Sequence, residues 1–187
     1  MSTSNAFTLT NELEAAKGLL RVLPDFPKKG INFVDIFPLF QSPEATAVVI
    51  DHIVDHIRSK VPESVDVVVG LDARGFLFGP MVAQKLNAGF APVRKLGKLP
   101  GLTAQVSYAK EYGEDIFEMQ SGALKPGQTV VVLDDLIATG GSAAAAGQLV
   151  QKLGGRVAEY VFMVELDGLD GYKSLDGPVY SVFHFPA

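Results

Sequence analysis

Asp134 and Asp135 stand side by side at the end of the apolar run Val130-Val131-Val132-Leu133, and Leu136-Ile137-Ala138-Thr139-Gly140-Gly141-Ser142 follows them. Ionised carboxylates only accept hydrogen bonds, and the vicinal hydroxyls of a ribose are matching donors. The paired glycines allow close backbone approach, and the Thr139 and Ser142 hydroxyls fall where a helix is expected to begin. Free N–H groups and the dipole at such a helix start favour a phosphate. The combination points to a sugar-phosphate site. Paired aspartates can also simply end a strand and cap a helix, but Ala-Thr-Gly-Gly-Ser directly after the strand favours chemistry. No G-x-x-x-x-G-K-[ST] and no G-x-G-x-x-G occurs in the chain, which excludes a P-loop NTPase and the usual dinucleotide fold.

These residues need a scaffold that puts strand ends around a crevice. Asn11 and Glu14 form a capping box, and Leu13, Ala16 and Leu20 recur at helical spacing after it. Pro24-Asp25-Phe26-Pro27-Lys28-Lys29-Gly30 is turn chemistry with a lone aromatic, leading into an extended Ile31-Asn32-Phe33. Ser42-Pro43-Glu44 starts a second helix with Ala45, Val49, Ile53 and Ile57 on its buried face and His52 and His56 beside it. A buried strand over 65–69 ends at Gly70, a helix over 76–86 is closed by Asn87 and Gly89, and 90–93 is the next strand. A basic, Gly-rich stretch from Arg94 to Gly101 precedes a hairpin arm built from 106–108 and 116–119. Strand 129–133, helix 142–153 and strand 157–164 then alternate, and 179–185 is a final edge strand. This alternation predicts an α/β fold, a doubly wound, mainly parallel sheet flanked by helices, with ligands beyond the carboxyl ends of its strands.

The 187 residues, 48% hydrophobic and 20% charged, suit one globular domain with a full core. A net charge of -5 without a basic tract argues against a nucleic-acid surface. The absence of cysteine excludes disulfides, thiolate zinc sites and a cysteine nucleophile. The polar start, Met1 to Asn5, lacks the blocks of a secretion signal, and no apolar run approaches the roughly twenty residues of a membrane helix. A cytoplasmic protein is expected.

The Asp134–Ser142 run resembles the phosphoribosyl-diphosphate binding signature of the type I phosphoribosyltransferases. The resemblance extends through Pro24–Pro27, Gly70–Pro80, Pro92–Lys95, Gly97–Gly101, Glu111–Gly113 and Val164–Leu166, nearly the whole chain in order, and is to the adenine-specific branch of that family. It implies transfer of ribose 5-phosphate from 5-phosphoribosyl 1-diphosphate to adenine, giving AMP and diphosphate with inversion. It also implies a small N-terminal hood over residues 1–40 within a single domain 1–187, and a homodimer.

By the same resemblance, Asp134, Asp135, Ala138, Thr139, Gly140, Gly141 and Ser142 would hold the ribose 5-phosphate. Ala73, Arg74 and Gly75 would offer N–H groups and a fixed cation to the diphosphate, with Arg94, Lys95 and Lys98 behind them. Mg²⁺ would bridge ribose hydroxyls, diphosphate and water with no direct protein ligand. Arg74, Asp134 and Asp135 would stabilise charge as the anomeric bond breaks. The connection from Arg94 to Tyr112 would act as a flexible lid, bringing Glu111 to the purine for proton transfer and Tyr112 to the closed loop. On residue type alone, Glu111 reads as a solvated loop acid. Phe26 would stack on adenine, Lys28 would stand near its edge and Leu136 would press the opposite face, although an unassisted loop phenylalanine serves burial equally well. Val34 stands where the family frequently has arginine, and no role is expected for it.

His52 and His56 lack the glutamate of a metalloprotease helix, and Asp51 and Asp55 beside them suggest a solvated or interface face. Ser142, Asp167 or Asp170, and His184 follow the order of a hydrolase triad, but Gly140-Gly141-Ser142-Ala143-Ala144 is no nucleophile elbow. A nucleotide-sensing regulator without turnover is the main alternative; an acidic single domain with no added module disfavours it. A ribose-phosphate diphosphokinase is typically longer and lacks the hood.

Overall fold

The computed structural model describes residues 3–26, 28–29, 32–110 and 113–187. Helix α1 (Thr3–Lys17) buries Ala16 and leads into the buried Leu20, as the apolar spacing requires. It runs straight through Asn11 instead of starting there. Asn11 is exposed, and an exposed asparagine inside a helix costs only about half a kcal/mol, too little to stop it. Two three-residue strands, β1 (Arg21–Leu23) and β2 (Phe33–Asp35), pair antiparallel on either side of the turn that carries Phe26. Asp35 fastens this hairpin, taking Arg21 at 2.5 Å and the Phe37 N–H at 3.0 Å. Burial raises the pKa of its carboxyl, yet these donors prevail and hold it below the usual range. Val34 between them is 1% exposed and belongs to the core.

After the one-turn α2 (Phe37–Phe40), α3 (Pro43–Lys60) starts as expected, with Ser42 Oγ accepting the Ala45 N–H at 3.2 Å. The chain continues as β3 (Val67–Leu71), α4 (Gly75–Leu86), β4 (Gly89–Lys95), β5 (Thr103–Lys110), β6 (Gly113–Gln120), β7 (Thr129–Ile137), α5 (Gly141–Lys152), β8 (Arg156–Asp167) and β9 (Val179–Pro186). Asn87 closes α4 in a left-handed conformation at φ 56°. The sheet order is β5-β6-β4-β3-β7-β8-β9. Its β4-β3-β7-β8-β9 portion is parallel, β6 returns antiparallel to β4, and β5 pairs antiparallel with β6, forming the expected arm.

Alternation along the central strands divides the core. Val68, Val131 and Leu133 face α3 and α4, whereas Val67, Val69, Val130 and Val132 face α5. The alternation slips at the end of β7, because Leu136 joins the α3/α4 side and Ile137 the α5 side. Asp134 and Asp135 occupy the slip. The strand was expected to end at Leu133; backbone pairing instead carries β7 to Ile137 beside β8. No helix among the described residues is long and apolar enough to cross a membrane.

Gly147 of α5 packs directly over Tyr160, whose ring is fully buried and whose hydroxyl donates to Asp176 at 2.5 Å. A methyl group there would strike the Tyr160 hydroxyl, which its own hydrogen bond keeps in place. Gly147→Ala should therefore destabilise the fold by about 1–3 kcal/mol despite its better helix propensity. Denaturant unfolding at matched m-value checks this; a variant as stable as the parent would contradict the packing described.

Candidate active site

The carboxyl ends of β3, β7 and β8 open on a cleft of about 780 Å³, the size range of a small-molecule site. Asp134, Asp135, Leu136 and the turn from Ala138 to Ser142 line it, with Arg74 and Lys95 across from them. The slip in β7 is what lets two consecutive aspartates face one cleft. In an unbroken strand their side chains would point to opposite faces.

Asp135 is 4% exposed, and Arg74 Nε meets its Oδ2 at 3.0 Å. Arg74 caps the start of α4, and Gly75 after it sits where a Cβ would lie 2.8 Å from the Leu133 carbonyl. Only glycine lets α4 come this close to β7. The ion pair is imperfectly aligned: Arg74 Nη1 and Asp135 Oδ2 are buried without a hydrogen-bond partner among the described residues. Buried polar atoms are seldom left unpaired, and here they lie in two residues that line the cleft. Burial, followed by the adjacent Asp135 carboxylate, pushes Asp134 well above the usual carboxylate range. Burial raises Asp135 as well, against the opposing charge of Arg74.

At the head of α5, Gly140 takes φ 82° as the N-cap and no side chain caps the helix. The first N–H groups of α5 therefore lack a side-chain cap at the cleft. A Cβ on Gly140 would collide with the Gly171 carbonyl, so the loop is backed by the 3₁₀ turn Gly171–Ser174. Ser174 Oγ donates to the Gly171 carbonyl at 2.7 Å, and its other contact is the Thr139 carbonyl at 3.4 Å. Nothing in the local sequence of this buttress marks it as part of the site.

Arg94 does not line the cleft. Its Nε donates to Asp72 Oδ2 at 2.8 Å and its Nη1 to the Lys98 carbonyl at 3.3 Å, so it ties the end of β3 to the next turn. Lys95 lines the cleft and lies 3.5 Å from Asp115; Lys98 is exposed on the turn. The stretch read as a flexible lid runs here as a turn from Leu96 to Leu102, continued by the β5–β6 arm. Glu111 and Tyr112 lie outside the described residues. Phe26 and Lys28 are exposed and do not line the cleft. Phe26 meets Phe33 edge-on at 5.1 Å, and Phe33 in turn lies 5.2 Å from the Arg74 guanidinium. Asn32 also lines the cleft. Sequence reasoning missed Asn32, Phe33 and Asp72; only Asp72 carried a usable signal, its place at a strand end.

The decoys resolve separately. His52 Nε2 meets the Tyr180 hydroxyl at 2.5 Å, and His56 stacks on Tyr180 with its Nε2 2.9 Å from Glu159. They dock α3 on β8 and β9, so of the solvated or interface face expected from their aspartate neighbours the solvated reading does not hold. His184 pairs with Asp167 at 2.9 Å on the exposed edge of the sheet, whereas Ser142 faces the cleft.

Residues 39–186 match the phosphoribosyl transferase domain family. The adenine phosphoribosyltransferase of Yarrowia lipolytica is 53% identical over 176 residues, which span 94% of this chain and 95% of that protein. The crystal structure of the Saccharomyces cerevisiae adenine phosphoribosyltransferase, complexed with an imino-altritol bisphosphate and adenine, superposes with a TM-score of 0.91 at 46% identity, covering 93% of this chain and 99% of that one. The Trypanosoma brucei enzyme, in complex with AMP, pyrophosphate and ribose-5-phosphate, superposes with a TM-score of 0.83 at 26% identity over 92% of this chain and 78% of that one.

The raised Asp134 carboxyl has a stability consequence whose sign is fixed. A group with a folded pKa above its unfolded value contributes stability below the unfolded pKa and loses it as pH rises through the folded one. Asp134→Asn keeps an acceptor for the Asp135 N–H, which bonds Asp134 Oδ1 at 2.9 Å. Without ligand, the variant should match the parent below about pH 4 and become progressively more stable than it toward neutral pH. Thermal unfolding across pH checks this; a variant less stable by a constant amount at every pH would contradict it.

Proposed function

The chain belongs to the adenine phosphoribosyltransferase family, a family of pentosyltransferase enzymes, and on that premise we propose how its own residues transfer ribose 5-phosphate to adenine. The observation that carries the reading is the convergence on one cleft of the Asp134–Asp135 pair, the uncapped α5 start and Arg74. The 5-phosphate sits on the N–H groups and hydroxyls from Ala138 to Ser142. Asp134 and Asp135 accept the ribose hydroxyls. Arg74, with the backbone of Ala73 and Gly75, takes the diphosphate, which Lys95, Lys98 and Arg94 flank.

As an adenine nitrogen forms its bond to the anomeric carbon, the bond to diphosphate breaks and positive charge grows on the sugar. The two aspartates face that charge, and Arg74 faces the charge leaving with diphosphate. Glu111 takes the proton that adenine loses, and Tyr112 closes the loop over it. Phe26 stacks on the purine with Leu136 opposite and Lys28 at its edge. The partial exposure of Phe26 and its seat against Phe33 support this reading. The donor set of the cleft is hard oxygen: carboxylates of Asp72, Asp134 and Asp135, and hydroxyls of Thr139 and Ser142. It fits Mg²⁺, which Asp134 and Asp135 would help to hold through substrate and water oxygens. When bound, the ion supplies charge neutralisation to the leaving diphosphate. We further read residues 1–187 as one domain with a hood over 1–40, working as a homodimer in the cytoplasm within purine salvage.

Assay with the diphosphate donor, Mg²⁺ and each nucleobase in turn should give turnover with adenine alone. Arg74→Ala should abolish it, a loss of at least about a hundredfold, and Glu111→Ala should slow it by about a hundredfold. Equal turnover with hypoxanthine or uracil would overturn the base assignment, and an unaffected Glu111→Ala its proton role. Tight donor binding by calorimetry without AMP formation would favour the regulator instead.

A further inference from the structure

Glu118 is the one strongly buried carboxylate of the β5–β6 arm among the described residues, 2% exposed and not among those that line the cleft. It pairs with Arg94 across the β4–β6 ladder. Its Oε1 accepts the N–H groups of Lys98 and Leu99, both at 2.8 Å, and its Oε2 accepts the Thr103 hydroxyl at 3.1 Å. One side chain therefore ties the middle of the basic turn to the start of β5. The left-handed Gly97, at φ 78°, folds the turn back so that its N–H groups point at the carboxylate. Burial alone would raise the pKa of the Glu118 carboxyl, but those N–H groups prevail and hold it below the usual range, as expected of a permanent anion.

The grip is transmitted toward the cleft. The Lys98 carbonyl, held by the Glu118 contact on the same residue, accepts from Arg94 Nη1, and Arg94 Nε donates to Asp72, which lines the cleft just before Ala73 and Arg74. We propose that Glu118 is the positioning residue that sets Arg94 and Lys98 at the diphosphate side of the site. This rests on the reading of Arg94, Lys95 and Lys98 as the diphosphate flank. Glu118 touches no substrate itself. Its loss would free the turn, let water reach the Lys98 and Leu99 N–H groups and leave the cations poorly placed.

The test is steady-state kinetics of the full chain with Mg²⁺, varying donor and adenine separately, alongside thermal unfolding. Glu118→Ala should raise the KM for the donor by about tenfold and leave the KM for adenine within about twofold. Glu118→Gln can still offer one oxygen to both N–H groups and an amide N–H to Thr103, so it should return the donor KM to within about threefold. Arg94→Ala should raise the donor KM on its own but add less than about threefold on top of Glu118→Ala, because both act through one turn. If the alanine variant does not fold, Glu118→Asp, which keeps the charge but loses reach, should show the same donor-specific rise. A donor KM unchanged by Glu118→Ala or Glu118→Asp while Arg94→Ala raises it would overturn the inference and leave the diphosphate reading standing. Equal rises in both KM values, tracking lost thermal stability and not rescued by glutamine, would reduce Glu118 to a structural part and also overturn it. A donor KM untouched by Arg94→Ala and Lys98→Ala would instead remove the diphosphate reading on which the inference depends.

Discussion

Two adjacent carboxylates at the buried end of β7, balanced by one arginine, set the terms for everything around them. Asp134, partly buried, and Asp135, buried, cannot both be comfortably charged side by side, and Arg74 pairs with only one of them. The local structure is arranged to make this tolerable. Gly75 lets the start of α4 approach the Leu133 carbonyl, bringing Arg74 with it, and the slip in strand alternation turns both aspartates to the same cleft. What remains unsatisfied is an oxygen of Asp135 and a nitrogen of Arg74, one acceptor and one donor. Both residues also line the cleft, where the proposed ligand, a phosphorylated, diphosphate-bearing ribose, would bring hydroxyl donors to the carboxylates and anionic oxygens to Arg74.

The other walls are organised by the same economy of fixed backbone and few side chains. The proposed phosphate wall is a positive-φ glycine and a helix start, held from behind by the Gly171–Ser174 turn. On the opposite side, a single buried glutamate holds the basic turn, and Arg94 links that turn to the end of β3. The hood contributes through aromatic contact: Phe26 on Phe33, and Phe33 against Arg74. The proposed purine wall and diphosphate wall therefore share one arginine as a neighbour.

Much of this was legible in the chain itself. The alternation of apolar runs predicted the parallel sheet, and Ser42-Pro43 and Asn87 marked helix boundaries because capping is a local act of hydrogen bonding. The Asp134–Ser142 run declared its site because strand, acceptor pair, glycines and helix start are consecutive. What escaped depends on contacts distant in sequence. Three-residue strands such as β1 and β2 carry too little pattern to be seen, and they form because Asp35 finds Arg21. Asn11 looked like a cap, but the helix buried its face regardless of that weak preference. The basic turn, read as part of a flexible lid, is held by Glu118, twenty residues beyond Lys98, and the histidines of α3, read as a solvated or interface face, have partners on β8 and β9.

Without ligand, the aspartate pair holds a raised pKa, and binding of the sugar phosphate should lower it. Carboxyl-¹³C NMR of aspartate-labelled protein, titrated over pH with and without the diphosphate donor and Mg²⁺, tests it directly. The account predicts one aspartate signal titrating well above the usual carboxylate range in the free protein, absent in Asp134→Asn and moved down when donor binds. A free protein whose aspartates all titrate in or below the ordinary range, or a raised signal indifferent to donor, would contradict it.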